Sequence, residues 1–140
     1  MSRKKTQRIV TTLGLVLGFP GFVALGAAPW KAPDDAKTLV DPRPAGPGFA
    51  AAGRRVYENK CLGCHGPTGD GDGPDVEDLG IQPARLGDPS IQSQTDGELF
   101  WKIKTGRRPM PAYGRRLSAD DLWNTVHYVR SFAAGATPGK

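Results

Sequence analysis

A chain of 140 residues is long enough for one domain and too short for two. Its 19 glycines and 13 prolines exclude long helices laid end to end and argue against a large β-sandwich. Its two cysteines exclude a disulfide-rich scaffold and a four-cysteine zinc site. The net charge of +5 suggests nucleic acid at first sight, but Arg3, Lys4, Lys5 and Arg8 supply four of those charges before the first acid, Asp34. The remainder is close to neutral and carries no basic patch interleaved with aromatics, so no nucleic-acid partner is expected.

Residues 1–28 read as an export segment. The basic stretch SRKKTQR precedes residues 9–28, IVTTLGLVLGFPGFVALGAA, which hold no charge. A signal-peptide core runs about 7–15 residues and a spanning helix needs about 20, so the length favours a membrane anchor. A cleaved signal is the alternative, although its best small-residue triplet, Ala24-Leu25-Gly26, is a poor cleavage site. In both cases the rest of the chain is exported, to the periplasmic face of a bacterial inner membrane or, after cleavage, to the periplasm. Residues 29–47 hold five prolines and little periodicity; they are expected to be a linker, disordered or polyproline-like.

The domain proper is expected over 48–135, with a disordered tail at 136–140. Phe49, Ala52, Gly53, Val56 and Tyr57 fall on one face of a helix that runs into Cys61. Residues 66–90 are rich in Gly, Pro and Asp and lack any period, which is unusual in a compact domain unless the loop wraps something. Thr95 and Glu98 form the capping-box pattern of a second helix, with Leu99, Phe100 and Ile103 facing inward and Gly106 at its end. Ser118 and Asp121 suggest another box, Leu117 and Leu122 a hydrophobic staple, and Leu122, Val126, Val129 and Ala133 the buried stripe of a last helix. No strand-like alternation occurs.

Both cysteines lie in one motif, Cys61-Leu62-Gly63-Cys64-His65. This is the attachment signature of c-type haem. Thiols three residues apart can add to the two vinyl groups along one porphyrin edge, and the adjacent His65 is then carried beneath the iron as the proximal ligand. A thioredoxin-like dithiol needs a βαβ context, which the flanks lack, and a zinc site has only His127 left to offer.

On these residues the chain resembles the class I c-type cytochromes. The amphipathic helix into CLGCHG, the loop with QPARL, DGELFWKIKTG, RPMPAYG and LSADDLWNTVHYVRSF follow that family's order over residues 48–134. CHGPTGDGDGP, GELFW and PMPAYG are also similar to single-haem subunits of bacterial respiratory complexes. The resemblance implies an all-α domain of three to five helices wrapped around one covalent haem c. It implies one-electron transfer rather than enzymatic turnover, and a methionine as distal ligand. Met110 is the one methionine besides the initiator, and it lies between Pro109 and Pro111. A core gap-filler, ligation by His127 and an open sixth position are the competing readings. The resemblance also makes Pro83 the residue whose carbonyl accepts the His65 ring N–H. It pairs Gly53 with Tyr128 at a crossing of the first and last helices, and offers Trp101 or Tyr113 as donor to a haem propionate.

Lys102, Lys104, Arg107, Arg108, Arg115 and Arg116 form an acid-free run around Met110. Such a run can steer an acidic redox partner or simply balance the propionates. The expected partners are a protein donor and acceptor, in one setting within a membrane respiratory complex. The functional alternatives are a fixed haem subunit of a larger oxidoreductase, and a haem sensor or enzyme with an open distal site.

Overall fold

The computed structural model describes residues 29–44 and 46–133. Five α-helices carry the fold: α1 (Phe49–Lys60), α2 (Leu62–His65), α3 (Pro89–Gln92), α4 (Asp96–Thr105) and α5 (Ala119–Arg130). Two 3-10 turns, Asp34–Thr38 and Glu77–Leu79, complete the helical content. Among the described residues there is no β-strand, only an isolated bridge between Arg107 and Met110. The all-α expectation holds.

The last two long helices start where their caps dictate. At α4 the Thr95 hydroxyl accepts from the Glu98 N–H at 3.2 Å, and the Glu98 carboxylate accepts from the Thr95 N–H at 2.8 Å. Gly106, at φ +62°, closes the helix in a conformation that side-chain-bearing residues avoid. At α5 only half of the expected box forms. The Ser118 hydroxyl accepts from the Asp121 N–H and donates to the Asp121 carboxylate at 2.8 Å. Aspartate is one methylene shorter than glutamate, and its carboxylate meets the serine hydroxyl instead of the backbone N–H.

The core is built on α4 and α5. Leu99, Phe100 and Ile103 pack with Leu122, Trp123, Val126 and Val129, and Phe100 stacks on Trp123 at 4.3 Å between ring centroids. Helix α5 is buried on most of its circumference, a wider apolar face than the predicted stripe, and it ends at Arg130, before Ala133. Helix α1 crosses α5 in close contact. A Cβ on Gly53 would lie 1.8 Å from the Asn124 carbonyl oxygen and 3.0 Å from Tyr128 Cβ, so only glycine permits this crossing. Tyr57, Tyr128 and Phe132 then pack ring against ring at 5.1–5.2 Å.

The largest departure from the sequence reading is in residues 29–44. They do not form an unstructured linker but a strap laid across α4 and α5. Ala36, in the 3-10 turn, is 1% exposed. Gly97, in the first turn of α4, makes this docking possible, since a Cβ there would sit 2.1 Å from the Ala36 carbonyl oxygen and 2.6 Å from that of Leu39. At the strap's C-terminal end Arg43 forms a two-pronged ion pair with Asp41 and lies 4.2 Å over the Phe49 ring. The Asp41 carboxylate also meets His127 Nε2 at 3.0 Å. Proline content masked this packing because the contacts are tertiary and leave no helical period.

No helix among the described residues is long and apolar enough to cross a membrane. The expected export segment 1–28 and tail 136–140 lie outside the described residues.

Candidate haem site

Helix α1 delivers the C-x-x-C-H motif. Its last turn hands over to α2 at Cys61, whose N–H donates to the Tyr57 carbonyl at 2.8 Å. One further turn sets Cys61, Cys64 and His65 in a single helical coil, with the Cys64 and His65 N–H groups both donating to the Cys61 carbonyl. The thiols are free, with no disulfide between them. Burial pushes the Cys61 thiol up to about 12, and burial followed by the nearby Asp75 carboxylate raises Cys64. A catalytic dithiol shows the reverse, a thiol depressed by an electropositive setting. The redox-dithiol reading therefore lacks electrostatic support.

The irregular stretch after His65 wraps this turn and satisfies its carbonyls. Gly71 N–H donates to the His65 carbonyl at 2.9 Å, Gly73 N–H to Cys64 at 3.3 Å and Asp75 N–H to Gly63 at 2.8 Å. The Tyr57 hydroxyl donates to the Gly66 carbonyl at 2.6 Å from below. Gly66, Gly69 and Gly71 adopt φ of +75° to +76°, which explains the glycine density of GPTGDGDG. The loop's length is thus accounted for by its role as a collar around the motif.

The His65 ring is oriented from the same collar. Its Nδ1 lies 3.3 Å from the Ala84 carbonyl oxygen, which fixes Nδ1–H as the donor and leaves the Nε2 lone pair able to accept a metal. This corrects the expectation for Pro83. The Pro83 carbonyl is turned to Gly71, where an added Cβ would meet it at 2.4 Å, so the acceptor moves one residue along the chain. Burial lowers the His65 pKa and favours the neutral imidazole that a metal requires.

Met110 comes from the loop that follows α4. Its side chain is half-buried against the α4–α5 core. Its N–H donates to the Arg107 carbonyl at 2.9 Å, closing a tight turn that contains a cis Arg108–Pro109 bond. Beyond it, Tyr113 N–H donates to Ile103 at 3.2 Å and Gly114 N–H to Lys104 at 2.9 Å. The Tyr113 hydroxyl donates to the Lys60 carbonyl at 2.6 Å, so it ties this loop to the end of α1 and is already committed as a donor. His127 is engaged with Asp41 in the strap and its ring lies tilted 5.3 Å from that of Phe49, on the α1 side of α5. Of the six cations around Met110, Lys102 and Arg107 lie over the Trp30 ring at 5.6 and 5.2 Å.

This donor set fits haem c: two neutral free thiols in one turn, an imidazole whose tautomer is fixed for metal binding, and a thioether on a braced loop. Ala84 and Tyr113 are the contributors that sequence reading missed or misassigned. Ala84 acts through its backbone, so no side-chain signal could have marked it.

The family model described as cytochrome c oxidase, cbb3-type, subunit III matches residues 48–129. Cytochrome c6 of Chlorolobion braunii is 29% identical over 87 residues, 61% of this chain and 92% of that protein. Cytochrome c6 of Gracilaria tenuistipitata var. liui is 30% identical over 87 residues, 58% of this chain and 73% of that one. Among solved structures, the Kuenenia stuttgartiensis reducing HAO-like protein complex contains a chain similar at a TM-score of 0.59 and 30% identity, covering 67% of this chain. This protein spans about half the length of that chain, 49%. The KustC0563 c-type cytochrome aligns at a TM-score of 0.50 and 25% identity, over 58% of this chain and 96% of that one. The fold, the motif and these matches agree that the chain belongs to the cbb3-type subunit III cytochrome family and is a class I c-type cytochrome, an electron-transfer protein built around covalently bound haem c.

Proposed function

We propose that this chain is a one-electron carrier of a respiratory chain, tethered to the membrane by residues 9–28, in which His65 and Met110 would hold the haem iron. The observation that carries the reading is the collared C-x-x-C-H turn, in which the Ala84 carbonyl fixes the His65 tautomer at 3.3 Å. When bound, haem c supplies reversible Fe(II)/Fe(III) chemistry. Cys61 and Cys64 would hold the group by thioether bonds, His65 Nε2 would offer its iron a nitrogen, and Met110 would offer a soft thioether that favours the reduced state. The residues here would bind and orient the group and exclude water from it.

A second reading is supported by the kinship with an oxidase subunit and with a chain of an HAO-like protein complex. In it the same cytochrome is a fixed subunit that relays electrons inside a larger oxidoreductase. Solubilising native membranes and identifying what co-purifies separates the two. Ligation is tested on the haem-loaded full chain with carbon monoxide. The ferrous wild type should bind it poorly and Met110→Ala should bind it readily. Equal, ready binding by both would refute Met110 as the distal ligand.

A further inference from the structure

The family match begins at residue 48, after the strap 29–44. Its N-terminal end does more than cover the core. The Trp30 ring lies 5.6 Å from Lys102 Nζ on α4 and 5.2 Å from the Arg107 guanidinium. Lys102 is itself fixed, because its ammonium donates to Gln94 Oε1 at 2.6 Å. The indole therefore links a braced residue of α4 to the residue that opens the Met110 turn. Arg107 and Met110 are bridged through the backbone, so a displacement of one is passed to the other. The strap cannot slide, since the Ala36 and Leu39 carbonyls rest on the Cβ-less face of Gly97 and the Asp41–Arg43 pair is tied to His127 and Phe49.

We propose that Trp30 is a positioning residue for the distal loop: the strap holds the indole against Arg107 and thereby limits how far the Met110 thioether can leave the iron. This rests on the reading of Met110 as distal ligand. The loop beyond Met110 is anchored by the Tyr113 and Gly114 backbone bonds to α4. The Trp30 contact restrains the side of the loop before Met110.

The test uses the ferric, haem-loaded full chain and imidazole, a small ligand that must displace the native one. Trp30→Ala should bind imidazole about fivefold more tightly than wild type, equivalent to about 1 kcal/mol for a lost cation–π contact at about 1.4 kcal/mol per tenfold. Trp30→Phe, which keeps an aromatic face, should stay within about twofold of wild type. Arg107→Gln removes the cation from an exposed position and should reproduce the rise even if Trp30→Ala is poorly folded. Amide exchange at Met110 should accelerate in Trp30→Ala by a similar factor. Arg43→Ala, which loosens the other end of the strap, should lower thermal stability while changing imidazole affinity far less than Trp30→Ala, because the Ala36 and Leu39 carbonyls still seat the strap on Gly97. Equal effects of Trp30→Ala and Arg43→Ala on imidazole would overturn the proposal, because the strap would then act through global stability. Wild-type affinity in Trp30→Ala and Arg107→Gln, with raised affinity in Met110→Ala, would overturn it while sparing the ligand assignment. Wild-type affinity in Met110→Ala would overturn both.

Discussion

Gly53→Ala pits helix propensity against steric overlap, and the structure says which wins. In the middle of α1, replacing glycine by alanine gains about 0.5–1 kcal/mol from the unfolded chain's lost freedom. At this position the new Cβ would lie 1.8 Å from the Asn124 carbonyl oxygen and 2.5 Å from its carbonyl carbon. Both are backbone atoms of α5, so no side-chain rotation relieves the contact, and the helices must part by more than an ångström. Overpacking of this kind costs about 1–3 kcal/mol and occasionally more. The overlap here is severe enough for the upper part of that range, and the net loss should be about 2 kcal/mol. For a domain of this size that lowers the melting temperature by roughly 8–16 °C. Ala51→Gly calibrates the propensity term on the exposed face of the same helix and should cost only about 0.5–1 kcal/mol. Thermal unfolding of the haem-loaded variants followed by circular dichroism gives both numbers. A Gly53→Ala melting temperature equal to or above wild type would show that α1 and α5 do not cross this closely.

Other outcomes follow from named contacts. Tyr113→Phe removes the hydroxyl that reaches the Lys60 carbonyl and should cost about 1 kcal/mol, seen as a melting temperature lower by roughly 5 °C; no change would mean the loop is not tied to α1 in solution. Arg43 holds the Asp41 carboxyl well below its ordinary value of 3.8, against the opposing effect of burial. A carboxyl depressed on folding contributes stability that is complete above its unfolded pKa and is lost as pH falls through the folded value. Wild type should therefore lose stability more steeply than Asp41→Asn below about pH 4, and parallel acid curves would remove Asp41 from the strap's hold. Cys61→Ala and Cys64→Ala should each sharply lower the yield of protein that retains haem through acid-acetone extraction, checked by intact mass; undiminished retention in either would contradict thioether attachment at that thiol.

What could be read from the sequence depended on whether the signal was local. The Thr95–Glu98 box, Gly106 and the C-x-x-C-H turn are decided within four or five residues, and each appears where the pattern put it. The 66–90 loop was recognisable as a wrapper by its length, but its hydrogen bonds to the motif's carbonyls depend on glycines at positive φ that a sequence marks only as flexible. The strap was missed for the opposite reason. Ala32 and Ala36 look like spacer residues, yet both are buried, and Ala36 docks against Gly97 more than fifty residues away. A glycine in the first turn of an otherwise well-formed helix was the available hint, since glycine there is costly unless another backbone must approach. The shift from Pro83 to Ala84 follows from which carbonyl the loop turns outward, a property of φ and ψ rather than of residue type.

The central claim is that iron in this protein is held between His65 and Met110. X-ray absorption at the iron edge of the haem-loaded full chain addresses it most directly. The account predicts one sulfur ligand alongside nitrogen in both oxidation states, lost in Met110→Ala. A sixth ligand of oxygen or nitrogen in the wild type, or an iron with no sulfur neighbour, would contradict it.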